Sequence, residues 1–395
     1  RQVTVLLVLL VLLVLLFLLV LLMNSYDYIF ALMLSFFACL ILTPVVIWIA
    51  KRSKAIDRPD GQRKIHKKPT PLFGGLAIFL SINLVILIYS IITKDLIGDT
   101  IILKNLLGIF IGSLFLAVGG ILDDKFDLKP KWQIIWPVFA ILSVIICGIG
   151  IEFISNPIGE GLFELNKYSF NLFWYEGFPY KVTLFADLFT FAWLIAMMYT
   201  TKLLDGLDGL VSGIAIIASV FIFLTALNKG DIIQYDVALL AVIIAGVFAG
   251  FLVFNFNPAN IFLGEGGSTM AGFLLGSLSI ISGSKVGITL MLLSIPVLDF
   301  IWTLIRRRME NKPLFSADRK HLHHRLLDAG LSVKQAVYFL YLIAILFGLI
   351  AYSFQDKGLS FMAAVVLVVV VFMLILAYVY TKKKRRDRLL TGEIK

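Results

Sequence analysis

Long apolar runs restrict this chain to one kind of fold. Eleven of them follow Met23, at roughly residues 26–50, 73–93, 101–122, 132–150, 182–200, 207–227, 235–254, 261–281, 285–305, 335–353 and 359–380. Most reach or approach the ~20 apolar residues a helix needs to cross a bilayer. Lipid offers no partner to backbone N–H and C=O groups, so a spanning segment is a helix or part of a closed barrel. The period-two alternation of barrel strands is absent. Charged residues make up only 15% of the chain and hydrophobic ones 60%, whereas a soluble domain carries about 25% charge. A water-soluble enzyme, a disordered chain and a coiled coil are excluded. The sequence predicts an all-α polytopic integral membrane protein with about eleven transmembrane helices.

Residues 1–22 stand apart. After Arg1-Gln2-Val3-Thr4 they are almost only Leu and Val in a period of three, which drifts around a 3.6-residue helix and makes no packing face. They read as a membrane-inserted leader or an extra helix without a catalytic role, followed by a multi-span body over 23–380 and a basic tail over 381–395. Cys39 and Cys147 lie in apolar runs and have no metal-ligand or disulfide pattern.

The net charge of +10 is a topology signal here and does not point to nucleic acid. With the helix after Met23 entering from outside, inner loops and the tail hold 27 of the 35 Lys and Arg. The outer loops hold seven: Lys94, Lys104, Lys167, Lys181, Lys229, Lys285 and Lys357. The longest outer loop, 151–181, is rich in Gly, Pro and aromatics, and alternation over Tyr180–Leu184 predicts a small hairpin. The tail run Lys382-Lys383-Lys384-Arg385-Arg386 suits anionic headgroups.

The chemistry-bearing residues collect on the inner side. All four histidines are there (His66, His321, His323, His324), with Asp123-Asp124, Asp205-Gly206-Leu207-Asp208-Gly209 and the run from Asn255 to Ser268. A passive channel has no need of that asymmetry, and an enzyme with a cytosolic substrate does. Asp123 and Asp124 end a helix, and adjacent carboxylates repel unless a cation or proton intervenes. Asp205 and Asp208, three apart, would share a helix face. Carboxylates with substrate phosphates make the usual hard-oxygen site for Mg²⁺, with Mn²⁺ as a substitute. Helix capping is the competing explanation for any one pair; two pairs plus Glu265 on one face favour the cation site. Arg306, Arg307, Arg308 and the segment His321-Leu322-His323-His324-Arg325 are too basic for zinc and suit phosphate oxygens. Gly74-Gly75 and Gly119-Gly120 predict close helix packing. Asp187 and Asp299 are the acidic residues expected within spans; Asp299, beside Pro296, is expected to pair with an Arg or to serve function.

Taken together, the loops resemble the polyprenyl-phosphate N-acetylhexosamine-1-phosphate transferases, the MraY/WecA superfamily of glycosyltransferase 4 type. The resemblance covers roughly residues 45–330. It rests on Asp123-Asp124, the Asp205-Gly206-Leu207-Asp208-Gly209-Leu210 run, the Asn255…Pro258-Ala259…Phe262-Leu263-Gly264 run and the His-x-His-His-Arg-Leu loop. It implies ten or eleven helices, an outer N-terminus, and transfer of a sugar-1-phosphate from a UDP-sugar to a polyprenyl phosphate lipid with Mg²⁺ as cofactor. The form of the histidine loop looks like the N-acetylglucosamine branch, expected in the bacterial inner membrane; a homodimer is compatible.

By the resemblance, Asp123 and Asp124 lie by the lipid phosphate, with Asp123 the candidate base, and Asp205 and Asp208 by nucleotide and metal. Asn255 and Phe262 contact the nucleoside, Glu265 holds metal, and Lys67, His323 and His324 lie by the phosphates, with His321 and Arg325 beside them. The pattern departs at Glu265, where the family has Asp, and at Tyr199 and Lys202, where it has Asn. Lys202 then contacts a substrate phosphate or pairs with Glu265 or Asp205. These departures keep a second expectation open, a catalytically altered homologue that binds UDP-sugar. A transporter or flippase is the third, weakened by the scarcity of charge within the spans.

Overall fold

The computed structural model describes residues 26–59, 68–93, 95–155, 162–175, 178–227, 233–283, 286–309, 321–354 and 367–375. The leader over 1–22, Lys67 and the tail over 381–395 lie outside the described residues. The chain is a multi-pass bundle of helices: α1 Tyr26–Arg52, α2 Gly74–Ile92, α3 Leu103–Phe126, α4 Pro130–Gln133, α5 Ile135–Ile146, α6 Leu184–Leu204, α7 Leu210–Leu227, α8 Tyr235–Asn255, α9 Gly264–Ile281, α10 Val286–Leu292, α11 Ser294–Met309, α12 Leu322–Asp328 and α13 Val333–Phe354. Residues 367–375 are also helical. Every apolar run of the sequence therefore carries helix. Among the described residues, seven helices are long and apolar enough to cross a membrane: α1, α2, α3, α6, α7, α8 and α13.

Two runs read as single spans are broken. Residues 285–305 form α10 and α11, which meet at Leu293. Pro296 has no N–H to return to the Leu292 carbonyl, so the ladder is interrupted there. Residues 132–150 contain the end of α4 and all of α5, which join at Ile134.

Burial separates centre from rim. Along α8, 89% of the span is buried, against 33% for α1. The outward faces of α1, α2, α5 and α13 carry exposed Ile41, Trp48, Ile91, Ile146 and Leu346, as a lipid-facing surface requires. The hairpin expected in the long outer loop is present: β5 (Ser169–Tyr175) pairs antiparallel with β6 (Phe178–Thr183), Phe170 opposite Val182, and β6 runs straight into α6. A second hairpin, β3 (Phe153–Ser155) with β4 (Leu162–Glu164), precedes it. Asp187 is not a mid-span charge. It sits in the first turn of α6 and accepts from the Thr183 N–H at 2.9 Å, a helix-terminus role.

The glycine pairs let three helices touch backbone to backbone. A Cβ on Gly266 would lie 2.9 Å from the Leu116 carbonyl oxygen and 3.0 Å from the Gly120 Cα. One on Gly267 would lie 2.9 Å from the Gly75 nitrogen. These are backbone atoms that no rotamer change can move. Gly266→Ala is expected to destabilise the fold by ~1–3 kcal/mol through overpacking, read as a lowered melting temperature in detergent. The contact also fixes how the ends of α2, α3 and α9 meet, and the site is built on those ends.

Candidate active site

The acidic and imidazole-bearing segments converge at one end of the bundle. The end of α3 supplies Asp123 and Asp124, and α9 begins beside it. Asp124 spans the junction: its Oδ1 accepts from the Glu265 N–H at 3.1 Å and its Oδ2 from the Phe73 N–H at 3.1 Å. Capping, the competing reading of this pair, is therefore realised at Asp124, between elements that are distant in sequence. An anion is favoured there because the first N–H groups of a helix have no intrahelical acceptor. The same junction is stitched by Gly74 N–H to Phe262 O at 3.0 Å, Gly75 N–H to Leu263 O at 2.9 Å and Phe262 N–H to Pro71 O at 2.9 Å. These bonds bring the segment that follows Lys67 and Lys68 against the 262–265 turn. A short antiparallel pair, β1 (Ile56–Asp57) with β2 (Thr70–Pro71), steadies it.

Asp123 belongs to a chain of polar contacts. Its Oδ1 accepts from Gln133 Nε2 at 2.9 Å and from the Leu128 N–H at 3.1 Å. Gln133 Oε1 accepts from Lys202 Nζ at 3.2 Å, and Lys202 pairs with Glu265 Oε1 at 2.6 Å. Of the alternatives open for Lys202, the Glu265 pair is the one formed. Gln133 was not singled out in the sequence; a polar residue at the edge of an apolar run was the available signal.

Asp205 and Asp208 do not share a helix face. Residues 205–209 are a turn between α6 and α7, in which Gly209 takes φ +82°. Only glycine adopts that geometry without strain. Asp208 Oδ2 accepts from Asn257 Nδ2 at 2.8 Å and from the Ala259 N–H at 3.1 Å. Burial pushes the Asp205 carboxyl well above the carboxylate range, and the charges of Asp124, Asp208 and Glu265 add to it. Asn255 is buried and internally engaged, accepting from Ser212 Oγ at 2.9 Å and donating to Ile261 O at 3.0 Å. It shapes the 256–263 loop from within. Phe262, on that loop, is half-buried.

The histidine segment closes the site. His321 Nδ1 lies 3.0 Å from Asp299 Oδ2, and the Leu322 N–H donates to Asp299 Oδ1 at 3.1 Å. The buried Asp299 on α11 thus pairs with a histidine and a helix N-terminus; an arginine was expected. The His321 and His323 rings are parallel, 5.8 Å apart, and the His324 ring is 4.3 Å from that of His323. His323 abuts Gly206, where any Cβ would meet its Nε2. His324 and Arg325 are half-buried on α12. Tyr341 on α13 donates to the Gly209 carbonyl and pins the same turn.

Burial, then the neighbouring imidazoles of His324 and His321, hold His323 well below the ordinary value of 6.5. It is neutral when folded and protonates more easily when unfolded. This group's contribution to stability is lost as pH falls below about 6.5, by up to ~1.4 kcal/mol per pH unit, while the raised Asp205 and Asp124 carboxyls act in the opposite sense. His323→Gln is therefore expected to gain melting temperature relative to wild type as pH falls from about 7 to about 5, read as the difference between the two proteins at each pH.

Among the described residues, no three His, Cys, Asp or Glu side chains form a metal-holding group. The donors fit a cation held by one or two carboxylates together with substrate phosphates and water, the usual manner for Mg²⁺. Asp205, crowded by three other carboxylates, and Asp208 are the residues suited to it.

A multi-pass membrane protein whose carboxylates, imidazoles and Lys202 ammonium meet at a single end has the parts for handling phosphate esters. The chain belongs to glycosyl transferase family 4, whose model matches residues 106–283. A Bacillus subtilis (strain 168) protein named "Probable undecaprenyl-phosphate N-acetylglucosaminyl 1-phosphate transferase" is 32% identical over 81% of this chain and 83% of its own length. A decaprenyl-phosphate N-acetylglucosaminephosphotransferase of Mycolicibacterium smegmatis is 27% identical over 80% of this chain and 79% of its own. A phospho-N-acetylmuramoyl-pentapeptide-transferase of Bacillus licheniformis is 27% identical over 76% and 89%.

Proposed function

We propose that this protein transfers N-acetylglucosamine-1-phosphate from UDP-N-acetylglucosamine to undecaprenyl phosphate, the first membrane step of a cell-envelope polysaccharide. The convergence of Asp123, Asp124, Asp205, Asp208, Glu265 and His323 at one end of the bundle carries the reading, supported by relatives whose names state that reaction. The protein spans the bacterial cytoplasmic membrane about eleven times with this end inside, in keeping with the distribution of Lys and Arg.

Phosphoryl transfer asks for positioning and charge neutralisation more than for covalent help. A phosphomonoester has its second pKa near 6 and is mostly a dianion at pH 7, so a strong base is not required. A lipid phosphate oxygen attacks the β-phosphorus of the UDP-sugar in line. The new P–O bond forms as the bond to the α-phosphate oxygen breaks, and UMP leaves with that electron pair. Asp123 orients the nucleophile and accepts any residual proton. His323, His324, Arg325 and Lys67 bind phosphate oxygens, and Phe262 stacks on uracil. Mg²⁺, when bound, supplies further positive charge to the diphosphate. The isoprenoid tail stays in lipid, against the apolar crevice lined by Leu204, Ile214, Leu292, Pro296, Leu340 and Ala344.

Radiolabelled UDP-N-acetylglucosamine and polyprenyl phosphate test the reading. Lipid-linked product that needs Mg²⁺ or Mn²⁺ for full rate supports it. Binding without turnover favours the altered homologue, whose motive is the Lys202–Glu265 pair.

A further inference from the structure

We infer that Lys202 is a tethered cation of the transfer site, one that binds the donor diphosphate and displaces divalent metal from Glu265. The inference rests on the functional reading above. Five carboxyl groups gather here, from Asp123, Asp124, Asp205, Asp208 and Glu265, and the substrates bring negative charge of their own. Lys202 sits among them at the last turn of α6, with 26% of its side chain exposed. It is not a surface lysine reaching for a chance partner. Its Nζ bridges Glu265 Oε1 at 2.6 Å and Gln133 Oε1 at 3.2 Å, and the Tyr199 ring centroid lies 5.4 Å away. Gln133 in turn holds Asp123. One ammonium thus sets the relative positions of two of the five carboxylates.

An ammonium has three donors, and the described partners use two. The third suits a phosphate oxygen through a charge-assisted bond. A small crevice lined by Gly119, Asp123, Gln133, Trp136 and Thr269 borders Glu265, and the partly exposed Lys202 side chain leaves its ammonium within reach of a ligand. A dication on Glu265 would stand beside the ammonium, and like charges at such range oppose each other. Metal and lysine therefore compete for this carboxylate. Two of the three residues that depart from the family pattern, Lys202 and Glu265, are paired as one unit. The longer glutamate meets the lysine, and the lysine brings its own charge.

The experiment uses the full chain in detergent, with UDP-N-acetylglucosamine binding by calorimetry and Mn²⁺ binding by electron paramagnetic resonance. Wild type is expected to bind the sugar nucleotide in EDTA within about tenfold of its affinity in Mg²⁺. Lys202→Asn is expected to weaken binding in EDTA at least tenfold and to tighten Mn²⁺ at least tenfold. Lys202→Arg keeps the charge and is expected to retain binding in EDTA, which covers the case of a poorly folded asparagine variant. Loss of all wild-type binding in EDTA, or a Lys202→Asn protein with both affinities unchanged, overturns the inference. UMP release by the wild type is measured in parallel. Its absence sinks the functional reading; its presence with an unchanged metal response sinks the lysine alone.

Discussion

Asp124→Asn is expected to lower sugar-phosphate transfer on the order of a thousandfold, the upper range for removing one preorganised electrostatic contact from an active site. The carboxylate accepts two backbone N–H groups that approach from different elements, Glu265 at the start of α9 and Phe73 at the start of α2. An asparagine has one acceptor oxygen and would turn its NH₂ toward the other N–H. One donor is then left without a partner, at a cost of ~1–3 kcal/mol. The junction opens where Glu265, Lys202 and Asp123 are held in register. Asp124→Glu cannot rescue it, because Gly264, with φ +69°, packs its Cα side against this carboxylate. The measurements are the initial rate of lipid-linked product and the melting temperature. An asparagine variant with the wild-type rate would remove Asp124 from the catalytic centre.

That junction also marks how far the sequence could be read. The apolar runs were legible as helix because lipid imposes one rule on every residue of a long run; among the described residues seven helices are long and apolar enough to cross, and two runs are broken. That the polar clusters share one end of the bundle was legible for the same reason, since long apolar runs leave most charge to their ends. Asp123, Asp124, Asp208, Glu265 and His323 followed as candidates. Their partners did not. Asp124 meets Phe73 and Glu265 across 51 and 141 residues of sequence, and no local pattern encodes such a pairing. The 205–209 turn was misread because an Asp-x-x-Asp spacing looks helical unless the positive φ of Gly209 is known. Asn255, to which the resemblance gave a nucleoside contact, has its amide engaged with Ser212 and with the loop it supports, a pairing no local pattern shows. Gln133 went unnoticed because its role exists only once α4 lies beside Lys202.

Asp299 gives the other large effect, at a distance from the carboxylate junction. Its two oxygens hold His321 Nδ1 and the Leu322 N–H, so it orients a histidine and caps α12 at once. An ionised carboxylate can only accept, so the imidazole donates to it through Nδ1. His321 lies parallel to His323, and His323 rests on Gly206 of the turn that carries Asp205 and Asp208. A fault at Asp299 is therefore passed along a contiguous packed row into the site. Asp299→Leu keeps the branching of the side chain, at a larger volume, and removes both acceptors. It is expected to lower transfer about a hundredfold, a loss typical of a displaced catalytic group, and to destabilise the fold by ~1–3 kcal/mol for each buried donor left unpaired. Asp299→Asn retains one acceptor and can donate to His321 in its other tautomer, so its rate should fall between the two. Asp299 is a positioning residue, so the loss should appear in kcat with little change in KM for the sugar nucleotide. A ranking in which Leu and Asn behave alike, or a loss confined to KM, would mean that this carboxylate only supports the bundle.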